Sequence, residues 1–149
     1  MSKLLLLVED NPTDEKLTVR AFEKFGVDSE IVVARDGAEA LDYLFGTGPR
    51  PGRQVPVSPA VVLLDLKLPR VDGLEVLRRI RADARTRLLP VVILTASKED
   101  EDVIRGHTLG VNAYVRKPAD LGELTKAAET LGRFWLLINE DVPRSPGPR

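Results

Sequence analysis

Short uninterrupted apolar runs alternate along this chain with segments whose apolar residues recur at helical spacing. The runs are residues 4–8, 31–34, 61–64 and 91–94, with a weaker fifth centred on Tyr114. Strands covered by helices on both faces of a parallel sheet read in this way. Between them, Leu17, Ala21, Phe22 and Phe25 mark a first helix that starts near Pro12 and stops at Gly26. Asp36 can cap a second helix over residues 37–44, and Asp72 a third. In the third, Leu74, Leu77 and Ile80 recur at three-residue spacing, and Val76 sits one turn before Ile80. A fourth helix covers residues 99–109 and ends at Gly110, and a long last helix runs over residues 120–138. Five strand–helix units are too few for a closed eight-stranded barrel. They predict an α/β fold with an open, doubly wound five-stranded parallel sheet in the order 2-1-3-4-5.

Four of the runs end in reactive polar residues. The first ends in Glu9-Asp10, the third in Asp65, the fourth in Thr95 and the fifth in Lys117-Pro118. Open α/β sheets bind ligands beyond the carboxyl ends of their strands, where the strand order reverses. Here that point falls between strands one and three, which sets Glu9 and Asp10 beside Asp65. Clustered carboxylates repel one another, and a hard cation such as Mg2+ relieves the repulsion. Such a cation takes one or two carboxylates plus waters and phosphate oxygens, so the site has room for a phosphoryl group. A carboxylate can attack phosphorus to form an acyl phosphate. The cation, Lys117 and the Thr95 hydroxyl would then share the equatorial oxygens. Pro118 makes the Lys117–Pro118 bond a candidate for the cis form, which would aim the lysine inward.

Composition narrows the partners. The chain has 149 residues, one domain's worth, with 43% hydrophobic and 30% charged content. A net charge of −1 and no basic run with interleaved aromatics argue against nucleic acid and anionic membrane as partners. The absence of cysteine excludes disulfides and thiolate metal sites and suits a reducing cytoplasm. No apolar stretch reaches spanning length, and Met1-Ser-Lys3 does not open a signal peptide, so a cytoplasmic protein is expected. Residues 46–59 hold four prolines and three glycines and read as a long loop. The expected domain spans residues 1–138, followed by a polar, proline-rich, flexible tail over residues 139–149.

Taken together, Glu9-Asp10, Asp65 with Leu68-Pro-Arg-Val-Asp-Gly73, Thr95-Ala96, Tyr114 and Lys117-Pro118 resemble the signature of bacterial response-regulator receiver domains, a flavodoxin-like fold. The resemblance covers roughly residues 3–138. It implies that Asp65 accepts phosphate from a phosphohistidine on a sensor histidine kinase. It also implies that Asp10, Asp65 and the backbone carbonyl of Lys67 ligate Mg2+ or Mn2+, with Glu9 acting mostly through water. Thr95, Ala96 and Lys117 would contact the phosphoryl group, and Thr95 with Tyr114 would form a switch pair. Glu9-Asp-Asn-Pro12, Leu41-Asp-Tyr-Leu-Phe45, the long loop and Phe134-Trp-Leu136 are further similar to single-domain regulators of phytochrome kinases. That likeness implies a bacteriophytochrome partner and a homodimer through Phe134, Trp135 and Leu136. The expected protein is a stand-alone phosphoacceptor rather than an enzyme, promoting its own Mg-dependent phosphotransfer and dephosphorylation. Its switching face would be the fourth helix, fifth strand and fifth helix.

Simpler readings stand beside these. Glu9 and Asp10 can cap the first helix, Lys117-Pro118 can be a turn, and Tyr114 can be a static core aromatic. His107 reads as a helix residue rather than a ligand, and Arg78, Arg79, Arg81, Arg85 and Arg87 as a solvated face. The last helix carries Leu121, Leu124, Ala128, Leu131, Trp135 and Ile138 on one stripe, which Phe134, Leu136 and Leu137 widen. That excess can dock on the same domain or on a second copy. Two other functions share the topology. A haloacid-dehalogenase-type hydrolase needs a second Asp two residues after the nucleophile, where Lys67 stands. A flavin carrier needs a phosphate-binding first loop, which Glu9, Asp10 and Asp14 would oppose.

Overall fold

The computed structural model describes residues 3–24, 29–46 and 59–142. Strands β1 (Lys3–Val8), β2 (Ser29–Ala34), β3 (Val61–Leu64), β4 (Val91–Thr95) and β5 (Ala113–Arg116) alternate with five helices. These are α1 (Pro12–Glu23), α2 (Gly37–Phe45), α3 (Gly73–Ala82), α4 (Asp100–Thr108) and α5 (Leu121–Gly132). All strand pairs are parallel, in the order β2-β1-β3-β4-β5 expected from the sequence.

Alternate side chains of each strand point to opposite faces, and both faces are covered. On one, Leu6, Val8, Val62, Leu64 and Ile93 pack with Leu44, Leu77 and Ile80 of α2 and α3. On the other, Leu5, Leu7, Val61, Leu63 and Val92 pack with Phe22, Ala128 and Trp135 from the α1 and α5 side. This two-sided burial is why the strands are unbroken apolar runs rather than alternating ones.

The helix starts follow side-chain chemistry. Asp36 accepts from the Glu39 N–H at 2.7 Å and Asp72 from the Glu75 N–H at 3.0 Å, as their positions predict. Asp120 caps α5 through the Glu123 N–H at 3.0 Å. Asn11 caps α1, accepting from the N–H groups of Thr13 and Asp14, with Pro12 in the first turn. The expected stop of α1 at Gly26, with Phe25, lies outside the described residues, as do residues 47–58 of the long loop and 143–149 of the tail.

The last helix departs from expectation. Its α-helical part ends at Gly132, and Arg133–Ile138 winds as a π turn. The Asn139 N–H donates to the Phe134 carbonyl, five residues back, at 2.7 Å. Five-residue bonding shifts the phase of the inward face relative to an α-helix. Trp135 and Leu136, adjacent in sequence, are both buried, while Phe134, Leu137 and Ile138 are exposed. At constant α-helical pitch the apolar stripe is too wide for one face, and the π turn changes that pitch over its last residues. Of the three dimer candidates, Trp135 and Leu136 belong to the domain's own core.

The arginines also differ from a uniformly solvated face. Arg81 is half-buried and donates to the carbonyl oxygens of Gly110, Arg87 and Leu89 and to Asn112 Oδ1, at 2.7 to 3.1 Å. It clamps the end of α3 to the segments entering β4 and β5. Arg78, Arg79, Arg85 and Arg87 are exposed, as is His107 on α4.

Candidate functional site

The carboxyl ends of β1, β3, β4 and β5 place Glu9, Asp65, Thr95 and Lys117 together. β1 is hydrogen-bonded to β3 in register, Val8 opposite Leu64, so the residues that follow them stand side by side. Glu9 and Asp65 are buried and Asp10 is exposed.

Each oxygen of Asp65 has its own donor. The Thr95 hydroxyl donates to Oδ1 at 2.7 Å, and Lys117 Nζ lies 2.9 Å from Oδ2. Lys117 also reaches Glu9 Oε1 at 2.7 Å and Asp14 Oδ2 at 2.8 Å. One ammonium, its side chain 8% exposed, thus neutralises parts of three carboxylates. Burial works against its charge, but the hydrogen bonds it donates to Asp14, Glu9 and Asp65 outweigh that and hold the lysine above its ordinary range. Glu9 is pushed the other way for an acid. Burial raises it to about 7, opposed by Lys117 and helped by the nearby Asp65 charge.

Carboxylate oxygens of Glu9, Asp10 and Asp65 all lie within 4.8 Å of one another. An all-oxygen donor set of this kind suits a hard divalent cation, and the exposed Asp10 leaves its outer side open to water. The residues present fit such an ion. Lys67, whose carbonyl the sequence reading added to the set, follows two residues after Asp65, and its backbone N–H points at Asp65 Oδ1 from 3.4 Å. The loop it begins includes Arg70 in the left-handed region at φ 68° and returns to α3 through the Gly73 N–H, which donates to the Leu66 carbonyl at 2.9 Å.

The remaining predicted residues border this centre. Ala96 is exposed at the mouth of β4, next to Thr95. Tyr114, half-buried on β5, makes a long hydrogen bond to the Ser97 carbonyl at 3.4 Å. Its hydroxyl therefore touches the β4–α4 loop and not Asp65. Pro118 is half-buried directly after the lysine.

Sequence reasoning missed two participants. Asp14, which the sequence presents only as a source of repulsion toward phosphate, binds Lys117. Its position one helical turn beyond Asp10 puts both on neighbouring parts of the α1 start, a signal available in the sequence. Asp102 and Ser97 form a buried pair, Ser97 Oγ donating to Asp102 Oδ2 at 2.5 Å. Nothing in the acidic run Glu99-Asp100-Glu101-Asp102 singles out its last member before α4 is placed.

A doubly wound parallel sheet with acids, hydroxyl and lysine at these strand ends defines a receiver-type α/β domain. The chain belongs to the response regulator receiver domain family, which residues 5–129 match. Its relatives include the probable methanogenesis regulatory protein FilR2 of Methanothrix harundinacea, 44% identical over 97% of this chain and 88% of that one. Response regulator Rcp1 of Synechocystis is 36% identical over 90% and 89%. Among solved structures, the phosphorylated cyanobacterial phytochrome response regulator RcpA superposes with a TM-score of 0.88 at 36% identity, covering 95% of this chain and 99% of that one. The Mn2+-bound form of Rcp1 gives 0.85 at 35% over the same shares. The bacteriophytochrome response regulator AtBRR is 53% identical with a TM-score of 0.68, over 94% and 99%. The chain is thus a receiver-domain signalling protein related to phytochrome response regulators. Among the described residues no helix is long and apolar enough to cross a membrane.

Proposed function

We propose that Asp65 takes a phosphoryl group from a phosphohistidine of a cytoplasmic sensor kinase of the bacteriophytochrome type. The observation that carries this is the pairing of Asp65, one oxygen on Thr95 and the other on Lys117, beside the Glu9–Asp10 acids. The names of RcpA and AtBRR support the choice of kinase.

In this reading an Asp65 oxygen forms the new P–O bond as the P–N bond to histidine breaks, its electron pair returning to the imidazole. Asp10, Asp65 and the Lys67 carbonyl, with Glu9 mostly through water, would hold Mg2+ or Mn2+, which would supply charge neutralisation for the phosphoryl oxygens. Lys117 and Thr95, already beside Asp65, transfer their donors to phosphoryl oxygens, while the Ala96 backbone can add another. Movement of Thr95 pulls on the loop that Tyr114 touches, which carries the change to the α4–β5–α5 face. The same chain hydrolyses its own acyl phosphate, without turning over external phosphoesters.

The test is incubation with Mg2+ and acetyl phosphate, followed by assay for alkali-labile phosphate. Label is expected on the wild type and absent from Asp65→Asn; equal labelling of both removes Asp65 from the role. Transfer from a bacteriophytochrome kinase is expected to outpace transfer from unrelated kinases, and the reverse order defeats the narrower pairing. A homodimer belongs to the same reading, through exposed Phe134, Leu137 and Ile138 beside the buried Trp135 and Leu136. Sedimentation is expected to show a dimer that Phe134→Asp converts to a monomer; an unchanged mass in the variant excludes this surface.

A further inference from the structure

The acidic run at the start of α4 is not uniform. Glu99, Asp100 and Glu101 are exposed, but Asp102 is buried at 8% exposure. A buried carboxylate needs partners, and its partners here are informative. Asp102 Oδ2 accepts from Ser97 Oγ at 2.5 Å, and the same oxygen faces Lys67 Nζ at 3.6 Å. Both partners come from loops that flank the phosphoacceptor. Lys67 stands two residues after Asp65, and Ser97 two residues after Thr95, whose hydroxyl is bonded to Asp65. A single oxygen on α4 therefore gathers both loops at a point outside the carboxylate cluster around Asp65.

We propose that Asp102 is a positioning residue that holds Lys67 away from Asp65 and thereby sets how long an acyl phosphate on Asp65 survives. This rests on the reading of Asp65 as phosphoacceptor. Lys67 is a flexible, largely exposed cation whose backbone already touches Asp65 at 3.4 Å. A phosphoryl group on Asp65 carries about −1.5 to −2 charge and competes with Asp102 for that ammonium. In hydrolysis a water oxygen bonds to phosphorus, the P–O bond to Asp65 breaks, and its electron pair returns to the carboxylate. The water's proton leaves with inorganic phosphate. With Lys67 tied to α4, the approach of that water stays open. With Lys67 released, the ammonium settles on phosphoryl oxygens, covers the approach and slows the decay.

The experiment compares wild type, Asp102→Asn, Lys67→Ala and the double variant. Each is phosphorylated with Mg2+ and acetyl phosphate, freed of donor, and followed by decay of alkali-labile phosphate. Asp102→Asn is expected to decay about two- to fivefold more slowly than wild type, the scale of one solvent-screened ion pair. In the Lys67→Ala background the same change is expected to have no effect. A loss of loop structure alone would alter decay in both backgrounds, so equal slowing in both overturns the proposal. So does decay of Asp102→Asn at or above the wild-type rate. Asp102→Ser carries the same comparison if the amide fails to fold. If the wild type takes no label at all, the phosphoacceptor reading fails and this inference with it; label with insensitive decay sinks only the inference.

Discussion

A Cβ placed on Gly73 would stand 2.2 Å from the backbone carbonyl oxygen of Asp65. The start of α3 is therefore pressed against the residue proposed to receive phosphate, with no space for even a methyl group. Gly73→Ala is expected to destabilise the domain by about 1–3 kcal/mol, because backbone on both sides must shift. It should also slow phosphorylation of Asp65 relative to wild type. Urea denaturation and labelling by acetyl phosphate measure the two effects; an unperturbed variant would show that the contact relaxes freely.

Lys117 balances three acids. Lys117→Met leaves Glu9, Asp14 and Asp65 facing one another without a cation. Removing one partner of a buried ion pair costs about 3 kcal/mol or more. The expected variant melts earlier, regains part of the loss in millimolar Mg2+, and accepts phosphate poorly. Thermal melts with and without Mg2+ check this, and a melt insensitive to the metal contradicts it.

Arg81 makes four hydrogen bonds with one guanidinium. Arg81→Ala leaves their oxygens without that donor and is expected to cost about 2 kcal/mol. Arg81→Lys should recover little, since an ammonium lacks the planar fork that spans these acceptors. Urea midpoints of the two variants decide between a clamp and a merely solvated side chain.

Glu75 supplies the acid dependence. Hydrogen bonds from Arg78 and Arg79 hold its carboxyl down at about 2, below the ordinary 4.5. A depressed acid stabilises the folded state fully above its unfolded value and loses that contribution as pH falls through its folded one. The wild-type melting temperature should therefore drop between pH 4.5 and 2 more steeply than that of Glu75→Gln. Parallel slopes in thermal melts over that window would remove Glu75 as a source.

The sheet order and the convergence of Glu9, Asp65, Thr95 and Lys117 were legible because apolar runs two faces deep end in single polar residues. Their neighbours were less so. Asp102 is an acid on a helix, and only the placement of α4 separates this buried acid from its solvated neighbours. Arg81 looks like any member of its basic stretch, since three of its four acceptors are backbone carbonyls, which leave no trace in side-chain identity. The π turn was hidden for a related reason: apolar pattern reports which residues are buried only once a pitch is assumed. Trp135 and Leu136 satisfy the core at a pitch that the preceding α5 does not have.

Both oxygens of Asp65 are engaged at rest, one by a neutral hydroxyl and one by a shared cation. Phosphorylation of Asp65, as proposed, would therefore rearrange contacts already made and not add a group to an idle acid. The two partners also differ in what they can do next. Thr95 donates its hydroxyl to Asp65 alone, whereas Lys117, released from Asp65, still has Glu9 and Asp14. The proposed chemistry thus frees a hydroxyl to travel while the cation stays anchored, and the asymmetry gives the domain a fixed side and a moving one.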